Sequence, residues 1–91
     1  MALDFYFLGD PALVASVNDS QLQAISPALE KLTKSTGVFI DPYGTTRISP
    51  VHAEALVGYL ESLEGVGTTP ELLDALRDAH VSDRWLVAEG D

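Results

Sequence analysis

The stretch VFIDPYGTTRISP, Val38 to Pro50, sets the reading of the whole chain, because it joins an apolar run, a turn, a polar run and a helix start. Asp41-Pro42-Tyr43-Gly44 has the residue order of a type I turn followed by a left-handed glycine, the three-residue hairpin loop. Such a loop pairs Asp41 with Thr45, Ile40 with Thr46, Phe39 with Arg47 and Val38 with Ile48. Alternation then puts Val38, Ile40, Thr46 and Ile48 on a core face, and Phe39, Asp41, Thr45 and Arg47 on a free face, with Tyr43 at the tip. Arg47, opposite Phe39 and diagonal to Asp41, is placed to stack on the ring and pair with the carboxylate.

Downstream of the hairpin, Ser49-Pro50 starts a helix, since proline loses nothing at the first helical position and serine caps the free amides. Leu56, Tyr59, Leu60 and Leu63 form its buried stripe, with Glu54, Gly58 and Glu61 on the far side. The linker EGVGTT ends it, and Thr69-Pro70 opens another helix with Leu72, Leu73, Leu76 and Ala79 inward and Glu71, Asp74 and Asp78 outward. RWLVAE reads as a closing strand with Trp85 in the core, or else at an interface, where tryptophan is enriched.

Upstream, LDFYFL suits a strand near the sheet centre with both faces covered. Pro11 to Val17 reads as a short helical turn, and Ser20-x-x-Gln23 as a capping box. Leu22, Ile25, Leu29 and Leu32 recur at helical spacing, with Pro27 marking a kink or a new start capped by Ser26. Gly37 ends this helix behind Lys31 and Lys34. The expected fold class is α+β: one small domain, residues 1–91, with a three- or four-stranded sheet that includes the hairpin at about 38–48, packed against about three helices.

Composition narrows the function. Fourteen acidic against five basic residues give a net charge of −9, which makes nucleic acid and anionic membrane poor partners. Without cysteine there is no disulfide or thiolate metal site. The opening MALDFYFLG lacks a basic leader and is short for a span, which points to a cytoplasmic protein.

His52 and His80 fall on different helices without a partner at metal-ligand spacing, so no metal or cofactor is expected. His80, near a helix C-terminus, suits a role at the dipole end. Glu61 with Glu64, or Asp74 with Asp78, imitate a hydrolase pair but fit a solvated helix face better, and GVGTT lacks the lysine and preceding strand of a phosphate loop. With no nucleophile, base and orienting group together, the chain reads as a non-enzyme.

In size and charge the chain is similar to bacterial immunity proteins, of which barstar and the colicin-nuclease immunity proteins are familiar cases. GVFIDPYGTTRISPVHAEALVGYLESL, about a third of the chain, also resembles segments of small proteins from toxin-immunity loci. The resemblance implies a protein that covers a toxin's basic site with acidic and aromatic residues. No motif of either named family is present, so no family residue is carried over.

Charge and geometry alone nominate Phe39, Asp41, Tyr43, Arg47, Glu54, Glu61, Glu71, Asp74 and Asp78 as partner-binding residues. The partner expected is a basic toxin or effector, neutralised by stoichiometric binding. The alternatives are a small adaptor or chaperone for a secreted or phage protein, a nucleic-acid mimic, or a homodimer. Mimicry is disfavoured because the acids are interspersed with Lys31, Lys34, Arg47, Arg77 and Arg84.

Overall fold

Alternation along the first strand decides how the sheet is layered. In β1 (Ala2–Phe7), Leu3, Phe5 and Phe7 are buried, whereas Asp4 and Tyr6 between them stay partly exposed. The computed structural model describes residues 2–63 and 70–90. After β1 come β2 (Leu13–Asn18), α1 (Asp19–Thr36), β3 (Thr45–Ile48), α2 (Pro50–Glu61), α3 (Pro70–Val81) and β4 (Leu86–Gly90). The fold is α+β, with a four-stranded sheet in the order β2-β1-β4-β3 and every neighbouring pair antiparallel.

Ala15, Val17, Ile48, Leu86 and Ala88 bury on the same side as Leu3 and Phe5, forming one core with Ile25 and Leu32 of α1, Leu56 and Leu60 of α2, and Leu72 and Leu76 of α3. Each large side chain buried this way contributes about 1.5–3 kcal/mol. α2 contacts both α1 and α3, and α3 also packs on β2. The helices therefore cover one face of the sheet.

The helix ends near Gly37 and Ser49 form as expected. Gly37 takes a left-handed φ of 79° and donates to the Thr33 carbonyl, and Ser49 caps α2 by accepting from the His52 N–H. Tyr59, Leu63 and Leu73 only flank the core, while Ala53, Val57 and Ala75 are buried in it. The linker and the Thr69 cap lie outside the described residues.

Other expectations are corrected. Leu13–Asn18 is a strand and not a helical turn: a single helical turn is unfavourable alone, whereas pairing with β1 buries Ala15 and Val17. Helix α1 thus begins earlier than Ser20. Asn18 and Gln21 form its capping box, with the Asn18 side chain accepting from the Gln21 N–H at 2.8 Å and the Gln21 side chain from the Asn18 N–H at 2.9 Å. It runs through Pro27 without a new start.

The turn at Asp41–Gly44 forms, with Gly44 N–H donating to the Asp41 carbonyl at 3.3 Å and Tyr43 N–H to the Asp41 carboxylate at 2.9 Å. The two-stranded register does not follow from it. Val38–Asp41 is not a strand, and Phe39 does not pair with Arg47. β3 pairs instead with β4, Thr45 opposite Glu89 and Arg47 opposite Val87. The Thr46 hydroxyl bridges the gap to the 39–41 segment, accepting from Asp41 N–H at 3.1 Å and donating to the Phe39 carbonyl. Gly44 is not left-handed; among the described glycines only Gly9 and Gly37 are.

Candidate functional site

With the helices on one face, no element among the described residues covers the other face of the sheet, and the strand registers place its side chains. Tyr6 lies between Leu13 on β2 and Val87 on β4, and Val87 lies next to Arg47 on β3. One row further on, Leu8 N–H donates to the Trp85 carbonyl at 2.9 Å, which sets Leu8 beside Trp85. Leu8 and Trp85 are each 45% exposed and Leu13 is 55% exposed. The expected burial of Trp85 in the core is therefore corrected: alternation from buried Leu86 and Ala88 turns positions 85, 87 and 89 outward.

Carboxylates flank this apolar row. Asp4, one row from Tyr6, accepts a 2.7 Å hydrogen bond from the Ser16 hydroxyl and lies opposite Glu89. Asp10 accepts from the Ala12 N–H at 2.9 Å and stands 3.9 Å from the Arg84 guanidinium, which stacks 4.0 Å over the Phe7 ring. A shallow cleft of about 490 Å³ has Tyr6, Asp10, Val87 and Glu89 in its walls. An aromatic and aliphatic floor with two carboxylates above it suits the stem and charged head of a lysine or arginine.

The nine residues nominated from sequence do not form one surface. Arg47 shares the uncovered face. Phe39, 62% exposed, walls a separate apolar groove with Leu22, Leu29 and Pro42 on the α1 side, and Tyr43, 69% exposed, projects from the turn near half-buried Asp41. Glu54, Glu61, Glu71, Asp74 and Asp78 are exposed in the helical layer. There Glu61 pairs with Arg77 at 2.7 Å and so ties α2 to α3, and Glu54 lies 3.3 Å from His80 Nε2. Asp78 takes bonds from Ser82 at the end of α3.

The expectation that LDFYFL has both faces covered is corrected, because Asp4 and Tyr6 alternate with buried Leu3, Phe5 and Phe7 and stay partly exposed. Under that expectation the outward Tyr6, Leu8, Leu13 and Val87 were not anticipated. His52 is half-buried on α2 and His80 exposed on α3. Among the described residues no three His, Cys, Asp or Glu side chains converge as a metal site, and no helix is long and apolar enough to cross a membrane. Compared with protein-family models, curated proteins and solved structures, the chain matches none of them.

Proposed function

We propose that this protein is a non-enzymatic inhibitor that neutralises a basic protein by stoichiometric binding, in the manner of an immunity protein, and that it acts in the cytoplasm. The observation that carries the proposal is the uncovered sheet face. Contiguous exposed apolar side chains rimmed by polar ones mark interaction surfaces, and aromatic residues at their centre dominate binding energy. Here Trp85, Leu8, Tyr6 and Leu13 supply the centre, and Asp4, Asp10 and Glu89 the acidic rim. A net charge of −9 adds long-range attraction toward a basic partner and speeds encounter.

The test is coexpression with the product of the reading frame adjoining its gene. The expected outcome is a one-to-one complex and relief of that product's toxicity, both weakened at least about tenfold by Trp85→Ala in a folded variant. A folded protein that neither binds that product nor changes its toxicity would overturn the proposal.

A further inference from the structure

The two edges of the sheet are finished differently. Along β3, the Thr46 hydroxyl engages the backbone of Phe39 and Asp41, so that segment shields the edge. β2 ends the sheet on the other side, and among the described residues no backbone group bonds to its outer side. The ladder shows which groups point outward. Leu8 donates to Trp85, so even-numbered β1 residues turn their main chain toward β4 and odd-numbered ones toward β2. Ala15 and Val17, opposite Phe5 and Leu3, therefore face β1, and Ser16 turns its N–H and C=O away from the sheet.

Edges of this kind are usually blunted by charge, proline or distortion. LVASVN has no charge and no proline, and the register irregularity opposite Phe5 and Tyr6 reaches only the start of the strand. The side chains on either side are acidic. Glu71, in the first turn of α3, shares a depression of about 390 Å³ with Ala15, Ser16 and Gln21, while Asp4 lies on the uncovered face within reach of Ser16.

From this placement we infer that β2 is the docking edge for an extended basic segment of the partner, which adds to the sheet as a further strand. Its main chain pairs with Ser16, and its alternating side chains present lysine or arginine to Glu71 on one face and to Asp4 on the other. The inference rests on the basic-partner proposal and states how that partner approaches, since an added strand extends the uncovered face outward.

The probe is a short extended peptide with two adjacent lysines flanked by valines, so that one lysine falls on each face of the added strand, with the same peptide carrying two glutamates as control, followed through the backbone amide spectrum and hydrogen exchange of the whole protein. The Lys peptide should shift and protect the Ser16 amide, and the control should not. Ser16→Pro removes the outward N–H at an edge position that tolerates proline and should abolish the peptide-induced shifts of the flanking Ala15 and Val17 amides, whereas Ser16→Ala should retain them. Glu71→Gln should weaken binding about two- to fivefold, as for an exposed charge pair.

If Ser16→Pro does not fold, protection of Ser16 in the unaltered protein decides. Shifts confined to Trp85 and Val87 would overturn the edge while leaving the basic-partner proposal standing, as would the absence of any response at β2. Equal binding of both peptides would overturn both. A dimer of the protein alone that Ser16→Pro dissolves would assign the edge to a second copy and overturn the inference.

Discussion

Gly90 closes the end of β4 onto the Asp41–Gly44 turn: its N–H donates to the Gly44 carbonyl at 2.7 Å, and a Cβ there would overlap the Pro42 carbonyl and lie 2.8 Å from the Tyr43 nitrogen. Backbone atoms cannot step aside as a flexible side chain can. Gly90→Ala should therefore lower stability by about 1–3 kcal/mol, the range for forcing atoms into filled space. In Gly44→Ala the new Cβ meets Asp41 Oδ2 at 2.7 Å, and that side chain can rotate by giving up its bond to the Tyr43 N–H. Its cost should be nearer 1 kcal/mol. Urea midpoints check the order, and equal midpoints would mean that the turn does not constrain β4.

Inside α1, Pro27 has no N–H to offer the Gln23 carbonyl, and the Ser26 hydroxyl donates to that oxygen at 3.0 Å. Serine thus compensates the helix for its neighbour instead of capping a new one. Pro27→Ala should stabilise the protein by about 1–3 kcal/mol. Ser26→Ala should cost about 0.5–1 kcal/mol beside Pro27 and close to nothing beside Ala at that position. A double-mutant cycle by urea unfolding measures the coupling, and an identical serine cost in both backgrounds would refute it.

Ser26-Pro27 and Ser49-Pro50 show what is legible from sequence and what is not. Both pairs carry the same local signal, and only Ser49-Pro50 starts a helix, because the capping box at Asn18 had already started α1 upstream of Ser26. Gly37 and Ser49 could be read because caps depend on a few neighbouring residues. Strand partnership depends on distant ones: nothing near Thr45 announces that β4, some forty residues later, will outcompete Val38–Asp41 as its partner. The acids at Glu71, Asp74 and Asp78 were placed outward correctly by helical spacing. The apolar row through Tyr6 and Trp85 was missed because three strands must assemble before it exists.

Trp85 and Leu86 are adjacent in sequence and opposite in consequence. Leu86 is fully buried, so Leu86→Ala should cost about 2–5 kcal/mol of stability. Trp85→Ala removes a half-exposed ring and should cost about 1 kcal/mol, while accelerating partner dissociation at least about tenfold. Thermal unfolding and dissociation kinetics separate the two effects. A Trp85 variant that melts as low as the Leu86 variant would make Trp85 a structural residue.

The acids in the two layers should differ in how strongly they steer the partner. The shortest dimension of the molecule is 24 Å, while charges in about 0.15 M salt are screened over about 8 Å. Asp74 and Asp78, exposed on the helical side of the sheet, therefore act on a partner seated on the opposite face more weakly than Asp4 and Glu89 on that face, whereas Glu71 stands at the β2 edge beside Ser16. Asp4→Asn with Glu89→Gln should slow association several-fold and leave dissociation nearly unchanged, because rim charges act mainly on encounter. Asp74→Asn with Asp78→Asn removes the same two charges and should slow association less, with the gap between the pairs narrowing as salt is lowered and screening lengthens. Stopped-flow association at two salt concentrations tests this. A larger effect from Asp74 and Asp78 would move the docking surface to the helices, where Glu54, Glu61 and Glu71 also lie, and would remove the sheet face from the proposed mechanism.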